Sequence, residues 1–137
     1  MVRNIMLPID LANTDALTKS LDIAVQIAGA SDAKITMVGV TSSAPTQTAG
    51  SPKEFKDKLE TFGREFGDAH SLQIDTLALT SVDVPTELGG RLLHAADDLS
   101  ADLIVMASHV PGFIEHIFAS NAGYIASHAK CSVYVVR

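Results

Sequence analysis

Apolar segments rich in β-branched residues alternate along this chain with segments whose apolar residues recur at helical spacing. The first kind predicts buried strands, and the second predicts amphipathic helices. Strands are expected at Arg3–Ile9, Lys34–Val40, Gln73–Leu79, Asp102–Ser108 and Ser132–Val136. Strands separated by helices need crossover connections, which are right-handed and put helices on both faces of the sheet. The alternation therefore predicts an α/β fold with an open, five-stranded parallel sheet.

Four helices are expected between these strands. The first spans Thr14–Ala28, with Asn13 or Thr14 as its cap and Gly29 as its left-handed stop. The second opens at Ser51, which caps it while Glu54 closes a capping box. The third spans Pro85–Leu99 and the fourth Ser120–Lys130.

Three local patterns add detail to the helices and their connections. The second helix repeats an apolar stripe, which predicts a core-facing side: Phe55, Leu59, Phe62 and Phe66. The Gly89–Gly90 pair weakens the third helix by about 1 kcal/mol per glycine relative to alanine, which points either to close packing or to a close backbone approach. The intervening Thr41–Gly50 is mostly Ser, Thr, Ala and Gly, so a mobile loop without core contacts is expected.

Length, charge and cysteine usage limit the functional classes. The chain has 137 residues, which suits one domain over residues 1–137, and no apolar run reaches the length of a membrane span. Its net charge is −6 and its basic residues are scattered, which argues against nucleic-acid binding. Met1–Asp10 is too short for a signal peptide, so a cytoplasmic protein is expected.

Cysteine and histidine spacing gives no indication of a metal site. Cys131 is the single cysteine, so an internal disulfide and a cysteine metal cage are excluded, and a small buried side chain is its expected role. The histidines lack ligand spacing, so zinc binding is not expected: His94, His109, His116 and His128.

Ligands of open parallel sheets bind outside the carboxyl ends of the strands, where the strand order reverses. Three segments reach that edge here: Pro8–Asp10, Val40–Ser42 and Met106–His109. Ser120 as a helix cap would add free backbone N–H groups and the positive end of a helix dipole, which together form an anion receptor. Neither a Walker A pattern nor G-x-G-x-x-G is present, so the usual NTPase and dinucleotide sites lack support.

Three stretches of the chain resemble the universal stress protein family, whose fold is adenine nucleotide alpha hydrolase-like. They are Asn4–Asp10, Ala101–His109 and Ser127–Arg137, of which the ending His-Ala-Lys-Cys-Ser-Val is the most specific. The resemblance implies the strand order 3-2-1-4-5. It also implies a nucleotide site, and the residues it assigns there are Pro8, Ile9, Asp10, Val40, Met106, Ala107, Ser108, His109, Val110, Ala119, Ser120 and Asn121.

The phosphate loop departs from the family pattern G-x2-G-x9-G. Ala107, Val110 and Ala119 stand at the three glycine positions, and the last spacing is one residue shorter. Glycine lets a backbone approach a phosphate closely and adopt positive φ, which alanine and valine resist. The sequence resembles a small bacterial branch with Ala-Ser-His-x-Pro followed by Ser-Asn-Ala, which typically keeps a basic residue where Val110 stands.

Adenine-nucleotide binding with weakened ATP affinity is therefore the leading hypothesis. ATP, ADP and AMP are the candidate ligands, with Mg²⁺ arriving only with nucleotide phosphates. Bound nucleotide would order Val110–Ala119 and change the surface that a protein partner contacts. A dimeric interaction module without nucleotide is the alternative, and a slow ATPase is a weaker one.

Several of these residues have a second interpretation. Asp10 either caps the turn that follows its strand or orients the adenine side of a nucleotide, or a metal on its phosphates. Asn121 either helps to cap its helix or binds a phosphate. Ser108 beside His109 resembles a nucleophile and base, but no G-x-S-x-G elbow is present, so catalysis is not expected.

The last strand would lie at an edge of the sheet in the implied order. An apolar unpaired edge favours association unless it is used or protected. In the family this strand commonly pairs with its own copy, so the resemblance implies a homodimer through Val133, Tyr134, Val135 and Val136. Protection of a short edge by Arg137 is the alternative.

Overall fold

The computed structural model describes residues 1–108 and 117–137, with side chains described except at 117–120. Its five strands are β1 (Asn4–Pro8), β2 (Lys34–Ser42), β3 (Ile74–Ser81), β4 (Leu103–Ala107) and β5 (Ser132–Val136). They form one parallel sheet in the order β3-β2-β1-β4-β5. The predicted fold class and the implied strand order are both confirmed.

The central strands form the core because both of their faces are covered. Every residue of β4 is buried, as are the last four residues of β1. Met6, Leu7 and Ile104 have no exposed surface at all. Buried strands of this kind carry continuous apolar runs, which explains why the sequence pattern located them within one or two residues.

The helices are α1 (Thr18–Ser31), α2 (Pro52–His70), α3 (Val84–Asp98) and α4 (Ile117–His128). Right-handed crossovers place α1 and α2 on one face of the sheet and α3 and α4 on the other. A 3-10 segment, Leu11–Leu17, precedes α1 and is broken at Asn13.

Both predicted ends of the first helix were wrong. The Asp10 side chain accepts a hydrogen bond from the Ala12 N–H, so Asp10 caps the 3-10 segment and neither Asn13 nor Thr14 caps α1. The helix also runs past Gly29 and stops at Asp32, which adopts the left-handed conformation at φ 55°. Aspartate tolerates that region better than most residues, so glycine was not required.

The start of α2 is confirmed in most of its detail. Ser51 Oγ accepts a hydrogen bond from the Glu54 N–H at 3.1 Å. Glu54 reaches back as well, but its Oε2 accepts from the Gly50 N–H at 2.8 Å, one residue before the cap. Phe55 and Leu59 of the apolar stripe are buried, while Phe62 and Phe66 are partly buried against the same core.

The start of α4 was predicted wrongly. The helix begins at Ile117, three residues before Ser120, so Ser120 lies inside the helix and is not its cap. The capping assignment rested on residue type alone, since serine is favoured at caps but is also tolerated within helices. The free N–H groups of the helix therefore belong to earlier residues than those assigned from the sequence.

Asp102 joins the beginnings of β1 and β4. Its Oδ2 accepts hydrogen bonds from the backbone N–H groups of Arg3 and Asn4, both at 2.8 Å. These two bonds lower the pKa of the Asp102 carboxyl because they stabilise its charged form. The Asp102 N–H also donates to the Asn4 carbonyl at 2.9 Å.

No helix within the described ranges is both long enough and apolar enough to cross a membrane.

Gly89 and Gly90 form a matched pair for testing close packing between α3 and α4. A Cβ at Gly89 would lie 2.7 Å from Asn121 Oδ1 and 2.8 Å from Tyr124 Cδ1, whereas a Cβ at Gly90 meets nothing within 4 Å. We expect Gly89→Ala to lower the free energy of unfolding by about 1–3 kcal/mol. Gly90→Ala should raise it by up to about 1 kcal/mol, because alanine favours helix. Urea unfolding measures both, and equal stabilities would contradict the packing role.

Asp102 should contribute to stability in a pH-dependent way. Its lowered pKa means that the contribution is present above the unfolded pKa and is lost as the pH falls through the folded pKa. Asp102→Asn should therefore be less stable than the native protein at pH 7, and the difference should shrink as the pH falls from 7 through the folded pKa. Unfolding curves across that range test this, with Asp68→Asn at an exposed position of α2 as the charge control. A difference that stays constant with pH would contradict the assignment.

Candidate functional site

An open cleft of about 390 Å³ lies at the carboxyl ends of β1 and β2. This volume is within the range of small-molecule sites, roughly 300–1,000 Å³. The described residues that line it are Ile9, Asp10, Leu11, Ala12, Val40, Thr41, Ser42, Thr46, Thr48, Phe55, Val84, Pro85 and Leu88. Other cavities of about 170, 370 and 380 Å³ lie elsewhere on the described surface, so the cleft is distinguished by its place at the carboxyl ends of β1 and β2 and not by its volume.

The lining of the cleft divides into apolar walls and a set of hydroxyl groups. Ile9, Val40 and Leu88 are among the residues that give it apolar surface, which suits a flat heterocycle. Thr and Ser hydroxyls from β2 and the following loop suit the hydroxyls of a sugar. Asp10 is the only ionisable side chain in the described lining, so that lining offers no cation to a phosphate.

Asp10 lies at the cleft and also caps the turn that follows its strand, which is one of the two roles predicted for it. Its Oδ1 accepts from the Ala12 N–H at 3.1 Å, and its Oδ2 accepts from the Asn13 Nδ2 at 2.7 Å. A carboxylate can accept about four hydrogen bonds, so these two leave capacity for a ligand hydroxyl. Both interpretations of Asp10 therefore remain compatible with its position.

Pro8, Ile9 and Val40 are brought together by the β1–β2 pairing. Pro8 ends β1 opposite Val38, and the Ile9 N–H donates to the Val38 carbonyl at 2.9 Å. Ile9 and Val40 both line the cleft, whereas Pro8 lies in the strand beneath it.

The neighbouring strand β4 ends with Met106 and Ala107 and is followed by Ser108. None of these three residues lines the described part of the cleft. Met106 and Ala107 are 0% and 5% exposed, so their side chains belong to the core. Ser108 Oγ donates to the Val136 carbonyl at 2.9 Å, and the Ser108 N–H donates to the same oxygen at 2.8 Å. The serine hydroxyl is thus engaged with β5, an arrangement that does not prepare it as a nucleophile.

The remaining predicted residues lie on α4 or before it. Asn121 is partly buried, and its Oδ1 lies close to Gly89, so this side chain faces α3. Asn121 occupies the fifth position of α4 and is therefore not its cap. His109 and Val110 lie outside the described residues, as do the side chains of Ala119 and Ser120.

Sequence reasoning placed Thr41 and Ser42 at this edge of the sheet but missed Thr46 and Thr48, which also line the cleft. Thr41 and Ser42 belong to β2, which extends two residues beyond its predicted end. Thr46 and Thr48 follow them, and Ala49 is only 3% exposed within the core, so the segment expected to lack core contacts has one. A single buried alanine has no periodicity, so no sequence pattern would have found it.

The beginning of α3 was also missed as part of the site. Asp83 caps this helix, and the Glu87 carboxylate accepts from Ser81 Oγ and from the Asp83 N–H. These bonds lower the pKa of Glu87, the Ser81 hydroxyl contributing most. Val84 and Pro85 are thereby held at the cleft. Val84 and Pro85 follow the carboxyl end of β3 in the sequence. This order could have predicted that they lie at the ligand-binding edge typical of such sheets.

Within the described ranges, neither Cys131 nor a cluster of metal-ligating side chains provides a reactive site. Cys131 is partly buried, and burial raises the pKa of its thiol, which disfavours the reactive thiolate. Residues 1–108 and 117–137 contain no group of three His, Cys, Asp or Glu side chains that could hold a metal ion.

Several solved structures have the same architecture and a bound nucleotide, although their sequence identity to this chain is low. A universal stress protein in complex with cAMP is 21% identical, with a TM-score of 0.70 over 99% of this chain and 97% of that one. The Archaeoglobus fulgidus universal stress protein in complex with dAMP is 18% identical, with a TM-score of 0.70 over the whole of both chains. An Arabidopsis thaliana family protein with AMP bound is 13% identical, with a TM-score of 0.60 over 98% and 90%.

The family model of the universal stress proteins matches residues 1–137. The match includes the three stretches that carried the resemblance, and it extends over the strands whose ends form the cleft. The chain therefore belongs to the universal stress protein family.

Proposed function

We propose that this protein is a stress-response regulator that binds an adenine nucleotide in the cleft without turning it over, and that AMP is held at least as well as ATP. The observation that carries the proposal is the cleft itself, which joins apolar walls to threonine and serine hydroxyls at the carboxyl ends of β1 and β2. Binding of cAMP, dAMP and AMP by proteins of the same architecture supports adenine as the base. A cytoplasmic location is part of the proposal.

The electrostatics of the lining support a weakened hold on a triphosphate. Asp10 is the only charge among the described lining residues, and it repels phosphate. The sequence also lacks the loop glycines and the basic residue at Val110. A charge-assisted hydrogen bond contributes about 1.5–3 kcal/mol, so its loss costs roughly tenfold to a hundredfold in affinity. Each added phosphate therefore contributes little binding free energy. Mg²⁺ would bind only together with the nucleotide phosphates.

Two alternatives follow from the same residues. An interaction module of the same fold with no nucleotide would need only the scaffold and the dimer surface. A slow ATPase would release phosphate from ATP above a protein-free control, and Asn121→Ala should abolish that release. The engagement of the Ser108 hydroxyl by the Val136 carbonyl argues for binding over catalysis.

Filling the cleft should abolish nucleotide binding. Val40 lines the cleft and is partly buried, whereas Val82 is 83% exposed and lies outside the described lining. We expect AMP to stabilise the native protein by about 1.4 kcal/mol at ten times its Kd. Val40→Trp should weaken AMP affinity by at least about tenfold, and Val82→Trp should leave it unchanged. Calorimetric titration with AMP, ADP and ATP measures this.

Absence of heat and of stabilisation at millimolar AMP, ADP and ATP would reject the proposed function. Co-purified nucleotide gives an independent readout. The chain has no Trp and two Tyr, so a bound purine would raise its 260 nm absorbance plainly.

The proposal includes a homodimer formed through β5. Among the described residues this strand pairs with β4 on one side and has no strand on the other. Val133 and Val135 are partly buried and Val136 is buried, while Tyr134 is 46% exposed. An exposed apolar edge strand is stabilised when it pairs with a second copy.

A charge at the middle of β5 should disrupt this dimer. Tyr134 is the middle residue of the strand, and a two-fold axis through an antiparallel pair brings a middle residue beside its own copy. We expect the native protein to sediment at twice its 14.5 kDa mass. Tyr134→Asp should weaken the dimer at least about tenfold, because like charges meet across the pair. Val82→Asp, at an 83% exposed position outside β5, is the control. A monomeric native protein would refute the dimer.

A further inference from the structure

The loop between β2 and α2 forms one wall of the cleft, and we call residues 43–50 the strap. Thr46 and Thr48 of the strap line the cleft beside Phe55, and Ala49 enters the core. The strap has little other apolar anchorage, since residues 43–47 are exposed. Something other than burial must therefore hold most of it in place.

Hydrogen bonds within the strap define a tight turn. The Thr46 N–H donates to the Ala49 carbonyl at 2.8 Å, and the Ala49 N–H donates to Thr46 Oγ1 at 3.1 Å. The Ser43 N–H donates to the Ser81 carbonyl at 3.0 Å, which anchors the beginning of the strap to β3. These bonds shape the turn and fix one end, but they leave the far end to be held by α2.

Two side chains of α2 hold that far end. Glu54 Oε2 accepts from the Gly50 N–H at 2.8 Å, and Lys58 Nζ donates to the Thr48 carbonyl. Lys58 Nζ also pairs with Glu54 Oε1 at 3.1 Å, so the two side chains and the strap form one network. The Gly50 N–H and then Lys58 lower the pKa of Glu54, so its carboxylate stays ionised and keeps both partners near neutral pH.

We propose that Glu54 and Lys58 form a latch that holds the strap against the cleft and thereby sets the affinity for a purine nucleoside monophosphate. The inference rests on the proposed function. Both are positioning residues, because neither lines the described part of the cleft and both act through Thr48 and Gly50. A strap held in place spares the ligand the cost of ordering it, whereas a released strap leaves only a fraction of molecules competent to bind.

The same helix offers a matched control for the latch. Lys53 pairs with Asp57 at 3.2 Å with the same four-residue spacing, and among the described residues no hydrogen bond links Lys53 to the strap. Lys53→Met and Lys58→Met thus each remove one positive charge and one four-residue-spaced helix ion pair, with the order of the two charges along the helix reversed. Only Lys58→Met also removes a donor to the strap.

Hydrogen exchange of the ligand-free protein tests the latch directly. We expect Lys58→Met to speed exchange at the Ala49 and Gly50 amides by about tenfold or more, with Lys53→Met matching the native protein. AMP affinity should fall by about three- to tenfold in Lys58→Met, mostly through faster dissociation. Lys58→Arg keeps a cation with donors and should restore most of both properties. Thermal unfolding checks that every variant is folded.

The outcomes separate the latch from the proposed function. If the native protein binds AMP while Lys58→Met and Lys53→Met have equal affinity and equal strap exchange, the latch is refuted and the proposed function stands. If the native protein binds no AMP, the proposed function fails and the role of the latch in affinity fails with it. Faster exchange and weaker AMP binding in Lys58→Met alone, with rescue by Lys58→Arg, would establish the latch.

Discussion

The hydrogen-bonded pairing of β1 with β2 on one side and β4 on the other governs the rest of the molecule. The chain proceeds from β1 outward to β2 and β3, then returns to the opposite side for β4 and β5. Connections leaving the carboxyl end of the sheet therefore diverge on either side of β1. The described lining of the cleft lies on the β2 side of this point, because it includes residues that follow β1 and end β2 but none from β4. Pro8 ends β1 at that point, and Ile9 and Asp10 follow it into the cleft.

The chemistry of the cleft depends on side chains that the topology leaves free to vary. Ile9 and Leu88 pack in the core and also line the cleft. A bound purine would therefore contact apolar side chains that the fold requires for its own stability. In the sequence, Ala107, Val110 and Ala119 stand where the family pattern has glycine. Under the proposed function, these three positions would weaken the binding of a triphosphate and leave the apolar base side of the cleft unchanged.

The strap shows how a segment without an apolar pattern acquires a defined position. Its conformation is fixed by threonine and backbone hydrogen bonds within the turn and by Glu54 and Lys58 from the adjoining helix. Glu54 also lies in the first turn of α2, where a negative charge favours the helix dipole. One carboxylate thus stabilises the start of a helix and one wall of the cleft, and these two roles connect helix stability with the shape of the site.

Sequence alone determined the strands and their parallel arrangement, because burial on both faces of the central strands leaves continuous apolar runs, and it indicated the edge of the sheet at which the cleft lies. It also identified Ser51 as a cap, since capping is local. Tertiary structure decided the features that depend on distant partners: Asp32 rather than Gly29 ends α1, Ile117 rather than Ser120 begins α4, and Asn121 faces Gly89 across a helix interface. Thr46 and Thr48 entered the site for the same reason, since their positions are set by Ala49 packing and by hydrogen bonds from α2, which leave no periodic trace in the sequence.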